Sequence, residues 1–273
     1  ICPKATALQE LHEDPDRLRA PVRKGATGWE QLDFTAALDL AAERIAAIQK
    51  EHGPQSVGMY LGNPVAHNYR TLLGAQVLGD VLHTRNRFSA SSVDQVPHMF
   101  AAWTMFGHPL LMPVPDLERC TRFVVLGGNP AVSNGSIMTA PDMKRRIKEI
   151  RARGTVIVID PRRTETAELA DAWHAIRPGS DALLLLAMLN VLFAEDLVDD
   201  SAWRSWSRNL DALARAARGY PPARVAEAVG IPAETIAALA RDHARADGAV
   251  LYGRLGVATQ RFGGLASWLV YAV

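Results

Sequence analysis

Arg122-Phe123-Val124-Val125-Leu126-Gly127-Gly128-Asn129-Pro130 and Thr155-Val156-Ile157-Val158-Ile159-Asp160-Pro161-Arg162-Arg163 are the two stretches from which the fold can be read. After its first residue each is a continuous apolar run, and each ends abruptly in glycine, proline or charge. A strand wetted on one face alternates apolar with polar. A strand that is apolar throughout is covered on both faces, as in a parallel sheet between two layers of helix. Between the two, residues near 141–153 read as a helix that grows basic toward its C-terminal end, where the helix dipole favours cations. Strand, helix and strand in succession predict an α/β fold: parallel sheets covered by helices on both faces, Rossmann-like.

Working upstream, Leu38, Ala41, Ala42, Ile45 and Ile48 recur at helical spacing, and Gly53-Pro54 ends that segment. Ser56-Val57-Gly58-Met59-Tyr60 reads as a short strand into the Gly62-Asn63-Pro64 turn, followed by a helix over roughly 68–79. A loop is expected around 84–94 and a helix over 97–106. Residues 1–35 carry proline, glycine and charge without strong periodicity. Downstream, a strand is expected at Trp173 to Arg177 and a long helix over 182–194. Several helices fill 200–246, the last opened by Pro232 in its first turn, and Gly248 to Tyr252 form a further strand ending in Gly253.

Composition narrows the function classes. The chain has 273 residues, with 48% hydrophobic and 22% charged, the balance of a globular protein with a sizeable core. Thirty basic residues against 29 acidic ones leave no net field that calls for nucleic acid or an anionic membrane. The apolar run Ala182 to Phe193 is too short to span a bilayer and contains Asn190. With only Cys2 and Cys120, a disulfide framework is not expected, and a cytoplasmic, reducing setting is the default. The chain starts on Ile1-Cys2-Pro3-Lys4 and stops within the apolar stretch Leu265 to Val273, which reads as an internal piece not expected to be active alone.

In an open parallel sheet, ligands bind beyond the carboxyl ends of the strands. Those ends carry Gly127-Gly128-Asn129-Pro130, Asp160-Pro161-Arg162-Arg163, Pro178-Gly179-Ser180-Asp181 and Gly253-Arg254-Leu255-Gly256. Glycine admits a phosphate close to the backbone. Aspartate accepts hydrogen bonds from ribose hydroxyls or a guanine edge, and arginine meets a diphosphate bidentately. Together they suggest a nucleotide-like ligand, although neither a GxGxxG nor a Walker A sequence is present. Each loop alone can also be read as turn chemistry, with Asp160 or Asp181 capping the helix that follows. Cys120, just before a strand, reads as a small core residue, and the eight histidines show no metal-ligand spacing.

These segments, in this order, resemble the dimethyl sulfoxide reductase superfamily of molybdopterin oxidoreductases, in particular its formate dehydrogenase and nitrate reductase branches. The matching text is Cys2-Pro3-Lys4 with Asp14-Pro15-Asp16-Arg17-Leu18, then Gly128-Asn129-Pro130, then Asp160 through Ala167, then Pro178-Gly179-Ser180-Asp181, and finally Gly253 to Val257 with Gln260. The resemblance covers nearly the whole chain. It implies a bis-(molybdopterin guanine dinucleotide) cofactor carrying Mo or W, a nearby 4Fe–4S iron–sulfur cluster, a small-molecule substrate and a redox partner or electron-transfer subunit. Position by position, Cys2 matches the last cysteine ligand of the 4Fe–4S cluster and Lys4 the lysine between cluster and pterin. Gly127, Asn129, Pro130, Asp160, Arg163, Gly179 and Asp181 match the lining of the guanine dinucleotide. Gly256 and Gln260 match the segment passing close to pterin and metal.

In this superfamily the protein ligand to molybdenum, where there is one, is a cysteine, selenocysteine, serine or aspartate. The corresponding stretch here, Asn86 to Pro97, has no cysteine. Register places Asp94 at the ligand position, with Ser92 as runner-up. Gln95 stands where the formate dehydrogenases have a histidine, which points away from formate as substrate. A carboxylate oxygen suits a high-valent metal. Asp94 or Ser92 could instead cap the helix over 97–106, where Pro97 fits a first turn. The resemblance divides the chain into the end of an iron–sulfur domain (1–16), the first part of a split α/β domain (17–89) and a second α/β domain (90–273). The function it implies is two-electron redox of a small substrate at the metal. The alternatives are a cofactor-free α/β scaffold or electron-transfer subunit, and a nicotinamide dehydrogenase with a variant loop.

Overall fold

The computed structural model describes residues 3–198 and 207–273. The backbone divides into two compact units, Pro3–Ser92 and Val93–Val273.

In the first unit a small antiparallel hairpin, β1 (Val22–Lys24) with β2 (Trp29–Gln31), precedes α1 (Phe34–His52). Asp33 caps α1 by accepting from the Ala36 amide at 2.9 Å, and Gly53 closes it with a positive φ of 82°. Strand β3 (Met59–Leu61) leads to α2 (Tyr69–Val81), capped by Asn68, and then to β4 (Arg87–Ser89), which pairs with β3 in parallel. The expectation of a loop over 84–94 is therefore corrected: it holds a strand and a one-turn helix, Ser91–Asp94. The unit buries little, with no buried residue in α1 and only Gly79 in α2.

The second unit follows the apolar runs closely. It opens with α3 (Val96–Phe106) and continues through β5 (Arg122–Leu126), α4 (Met143–Arg153), β6 (Thr155–Ile159), β7 (Ala172–His174) and α5 (Asp181–Ala194). Helices α6 (Leu210–Ala217), α7 (Pro222–Val229) and α8 (Ala233–Arg245) come next, before β8 (Ala249–Gly253) and α9 (Gly263–Ala272). The third strand expected at 173–177 is shorter and lies earlier, and Pro232 is the residue before α8 rather than its first turn. All strand pairs are parallel and the order is β7-β6-β5-β8.

The two faces of this sheet explain its sequence. Val124, Leu126, Ile157 and Ile159 face a core built with α5, α7, α8 and α9. Their neighbours Phe123, Val125, Val156 and Val158 face the opposite core with Met143, Ile147 and Ile150 of α4. Each such side chain contributes roughly 1.5–3 kcal/mol on burial, so neither face can tolerate the polar half of an alternating strand. Helix α5 is buried at ten of its fourteen residues because it lies inside the larger core. Leu184 on α5 is fully buried, so Leu184→Ala is expected to destabilise the fold by about 2–5 kcal/mol, whereas Leu110→Ala, 66% exposed, changes it by less than about 0.5 kcal/mol. Urea denaturation of the two variants measures the contrast.

Candidate cofactor site at the carboxyl ends of the strands

The chain runs from β5 to β6 to β7 and then returns to β8 on the far side of β5, so the direction of winding reverses between β5 and β8. At that point two loops meet through glycine. The Gly256 amide donates to the Gly127 carbonyl at 2.8 Å, and the Arg254 amide donates to that of Leu126 at 3.1 Å. Gly127 holds φ at +57°, and a Cβ there would stand 2.8 Å from the Val257 nitrogen. A Cβ on Gly256 would lie 2.8 Å from the Cα of Gly127. Side chains cannot occupy this gap, so both positions require glycine. The two loops therefore cross backbone against backbone at the place where open α/β sheets bind their ligands.

Two carboxylates stand beside it. Asp181, the first residue of α5, is 4% exposed and accepts from Gln260 Nε2 at 2.6 Å. Asp160, after β6, accepts from the Arg162 amide at 2.8 Å, and its backbone carbonyl accepts from Trp173 Nε1 at 2.9 Å. Burial pushes both carboxyls above the ordinary aspartate range, and the nearby Asp160 charge adds to the rise at Asp181. Gly179, with φ of +83°, lies beside the Gln260 amide oxygen, which is buried and lacks a partner. The loops after β5, β6, β7 and β8 thus converge on one edge.

Other sequence-selected residues do different work. The Asn129 side chain is committed inside the protein: its Oδ1 accepts from Thr166 Oγ1 at 2.7 Å and its Nδ2 donates to Glu165 at 2.7 Å. It fixes the β5 loop against the helix Glu165–Leu169 and can offer a ligand only its backbone. Pro130 is buried. Arg163 is exposed and forms no hydrogen bond or ion pair among the described residues. Asp94 closes the one-turn helix Ser91–Asp94 and also makes no side-chain bond among them, while Ser92 is exposed. Gln95 occupies the position before α3 without capping it, so neither Asp94 nor Ser92 is that helix's cap. Its amide instead donates to the Met112 sulfur at 3.0 Å and accepts from Arg254 at 3.2 Å. Cys2 lies outside the described residues, as does the Lys4 side chain.

The match to known proteins decides the family. The molybdopterin oxidoreductase model matches residues 17–265. The chain belongs to the molybdopterin oxidoreductase family. It is 28% identical to acetylene hydratase of Syntrophotalea acetylenica over 86% of this chain and 32% of that protein. It is also 28% identical to formate dehydrogenase H of Escherichia coli, over 91% of this chain and 34% of that one. The solved structure of acetylene hydratase from Pelobacter acetylenicus superposes with a TM-score of 0.80 at 24% identity, covering 100% of this chain and 37% of that one, which supports the same α/β fold. The chain spans about a third of the length of these relatives. The family implies a molybdopterin cofactor carrying molybdenum or tungsten. No helix among the described residues is long and apolar enough to cross a membrane.

Asp181 gives a stability test with a definite sign. Its folded pKa is raised, so its contribution is fully present below the ordinary aspartate value and is lost as pH rises through the folded value. Above that window the ionised, desolvated carboxylate weakens the fold. Asp181→Asn is therefore expected to melt higher than the parent at pH 7 in the absence of cofactor, and the difference should disappear on acidification toward pH ~3. Calorimetric melting of both proteins across pH 3–7 checks this.

Proposed function

We propose that this chain forms the cofactor-binding part of a molybdopterin oxidoreductase that carries out a two-electron redox reaction on a small substrate at a molybdenum or tungsten centre. We further propose that its nucleotide tail is the guanine dinucleotide. The observation that carries the reading is the convergence of the Gly127–Gly256 crossing with Asp160, Asp181 and Gln260 at the reversal of strand order. Beside the crossing of Gly127 and Gly256 a diphosphate meets backbone rather than side chains, and the guanidinium of Arg163 is free to meet its charge. A guanine edge, with its N–H donors, fits two carboxylates whose burial raises the cost of remaining unpaired. The bound cofactor supplies the electron chemistry; the protein binds, orients and shields it.

Within that frame each remaining assignment is a proposal. Asp94 is the side-chain ligand to the metal, with Ser92 second. Gln95 stands beside it, held by Arg254 and Met112. Cys2 is a ligand of a 4Fe–4S cluster and Lys4 lies between cluster and pterin, so electrons leave through a partner subunit or acceptor. The relatives bear names for unlike reactions, a hydratase and a formate dehydrogenase, so family membership does not choose the substrate. Gln95 argues against formate on the residue pattern alone.

Substitution separates the Asp94 reading from a merely local one. Asp94→Asn in the full-length enzyme is expected to abolish turnover and alter the Mo(V) electron paramagnetic resonance signal, with molybdenum content retained. Ser92→Ala should change neither. Loss of the signal in Ser92→Ala with an unaltered Asp94→Asn moves the ligand to the serine, and no effect from either removes a protein ligand from this loop. Lys4→Ala is expected to slow transfer to the external acceptor while leaving cofactor content intact; unchanged turnover makes it a surface lysine.

A further inference from the structure

Arg254 follows β8 at the point where the two glycine loops cross, and its neighbours leave it little freedom. Its amide donates to the Leu126 carbonyl at 3.1 Å. Its Cβ fills the space beside Gly128, where an added Cβ would lie only 3.2 Å from it. At the far end of the side chain, Nη2 donates to Ser136 Oγ at 2.9 Å. Ser136 belongs to a loop with three successive positive φ angles, 54° at Asn134, 77° at Gly135 and 55° at Ser136. Backbone of that kind persists only where its surroundings impose it. The Tyr252 hydroxyl of β8 adds to the constraint by donating to the Gly135 carbonyl. Arg254 is thus braced at its amide, its Cβ and its guanidinium.

The braced guanidinium reaches a second partner. Nη2 also donates to Gln95 Oε1 at 3.2 Å. A guanidinium carries donors only, so an amide bonded to it must present its oxygen. The Gln95 amide is thereby given one sense, with Oε1 on Arg254 and Nε2 on the Met112 sulfur at 3.0 Å. A thioether is a weak acceptor, and Met112 alone would hold that sense poorly. Among the described residues the Gln95 side chain has no other hydrogen bond, and it does not cap α3. Its orientation therefore depends on Arg254. Gln95 is also the next residue after Asp94, whose carboxylate makes no side-chain bond among the described residues.

We propose that Arg254 is a positioning residue for the metal centre: it fixes the sense of the Gln95 amide, and through Gln95 the surroundings of the ligand position at Asp94. The inference rests on the assignment of Asp94 made above. Groups around a metal ligand tune the metal through the bonds they make, and an amide free to turn over presents a donor at one moment and an acceptor at the next. Arg254 removes that ambiguity from a residue 159 positions earlier in the chain.

The test is a double-mutant cycle on the full-length enzyme, read by the Mo(V) electron paramagnetic resonance signal after partial reduction with dithionite, with molybdenum content measured on each variant. Arg254→Met is expected to shift the signal, and Gln95→Leu to shift it as well. The double variant should match Gln95→Leu alone, because an arginine with no amide to orient has no further effect on the metal. Ser136→Ala, which removes only the other bond of Nη2, should keep the parent signal. An unshifted signal in Arg254→Met overturns the proposal. A shift of the same size when Arg254→Met is made on the Gln95→Leu background also overturns it, since the arginine then acts by charge alone. A Ser136→Ala shift equal to that of Arg254→Met does so too, by making the loop the intermediary. If Arg254→Met does not accumulate, Arg254→Lys, which keeps the charge and loses the planar fork, takes its place in the cycle with the same outcomes. Asp94→Asn separates the two levels of the reading. An altered signal there beside an unshifted Arg254→Met defeats the role of Arg254 alone, and an unaltered signal in both defeats the Asp94 assignment as well.

Discussion

Four parallel strands that are apolar on both faces can carry polar chemistry only at their ends, and the rest of the second unit follows from that constraint. Helices must cover both faces, which commits α4 to one side and α5, α7, α8 and α9 to the other. The backbone polar groups of the strands are used in the ladders, so the loops beyond their carboxyl ends hold the free amides and carboxylates. Where the winding reverses, two of those loops must pass each other. The amide of Gly256 on the carbonyl of Gly127 is the point of passage, and the absence of side chains there is what lets the two backbones touch.

The same arrangement is unfavourable for stability in the absence of ligand. Asp160 and Asp181 are desolvated by the cores beneath them, and the fold offers each only a few donors: an amide for one, Gln260 for the other. A fold selected for stability alone would place asparagine or an apolar residue there. Retaining two close carboxylates makes sense if a ligand with matching donors completes their hydrogen bonding, and binding then stabilises the fold in proportion to its affinity. The committed side chain of Asn129 complements this. By locking the β5 loop to Thr166 it uses its own polarity to keep that loop rigid, so that less ordering remains to be done on binding.

The legibility of these features in the sequence depended on how local their causes were. β5 and β6 were readable to the residue because burial on both faces writes itself into consecutive positions. β4 was not, since Arg87-Phe88-Ser89 has no period to detect and becomes a strand only by pairing with Met59 to Leu61. Asp160, Asp181 and Gly256 are legible from their position after strands and Gln260 from the family resemblance, and the structure brings the two aspartates, Gly127 and Gln260 to one edge. Asn129 was selected on the same ground, yet its side chain faces inward for a reason, the contact with Thr166, that lies across a helix and a strand. His98 carries no signal of its own in the sequence. Nothing near it marks it as buried, because α9 packs on α3 and supplies Tyr271 from the far end of the chain.

Asp94 shows how the structure alters the weight of competing readings without a new motif. A helix start beginning Asp-Gln-Val-Pro invites the view that the aspartate satisfies the exposed amides of the first turn. Helix α3 needs less of that help than most. Pro97 has no amide to satisfy, and the Met99 amide already donates to the Gln95 carbonyl. Gln95 holds the capping position and turns its side chain elsewhere, toward Met112 and Arg254. That leaves a half-buried carboxylate with no structural bond among the described residues, set beside a side chain held from both ends. A cap is defined by the amides it serves, and Asp94 serves none among the described residues. The carboxylate is therefore not committed to helix α3, and the capping role that the sequence allowed it is not the one it takes.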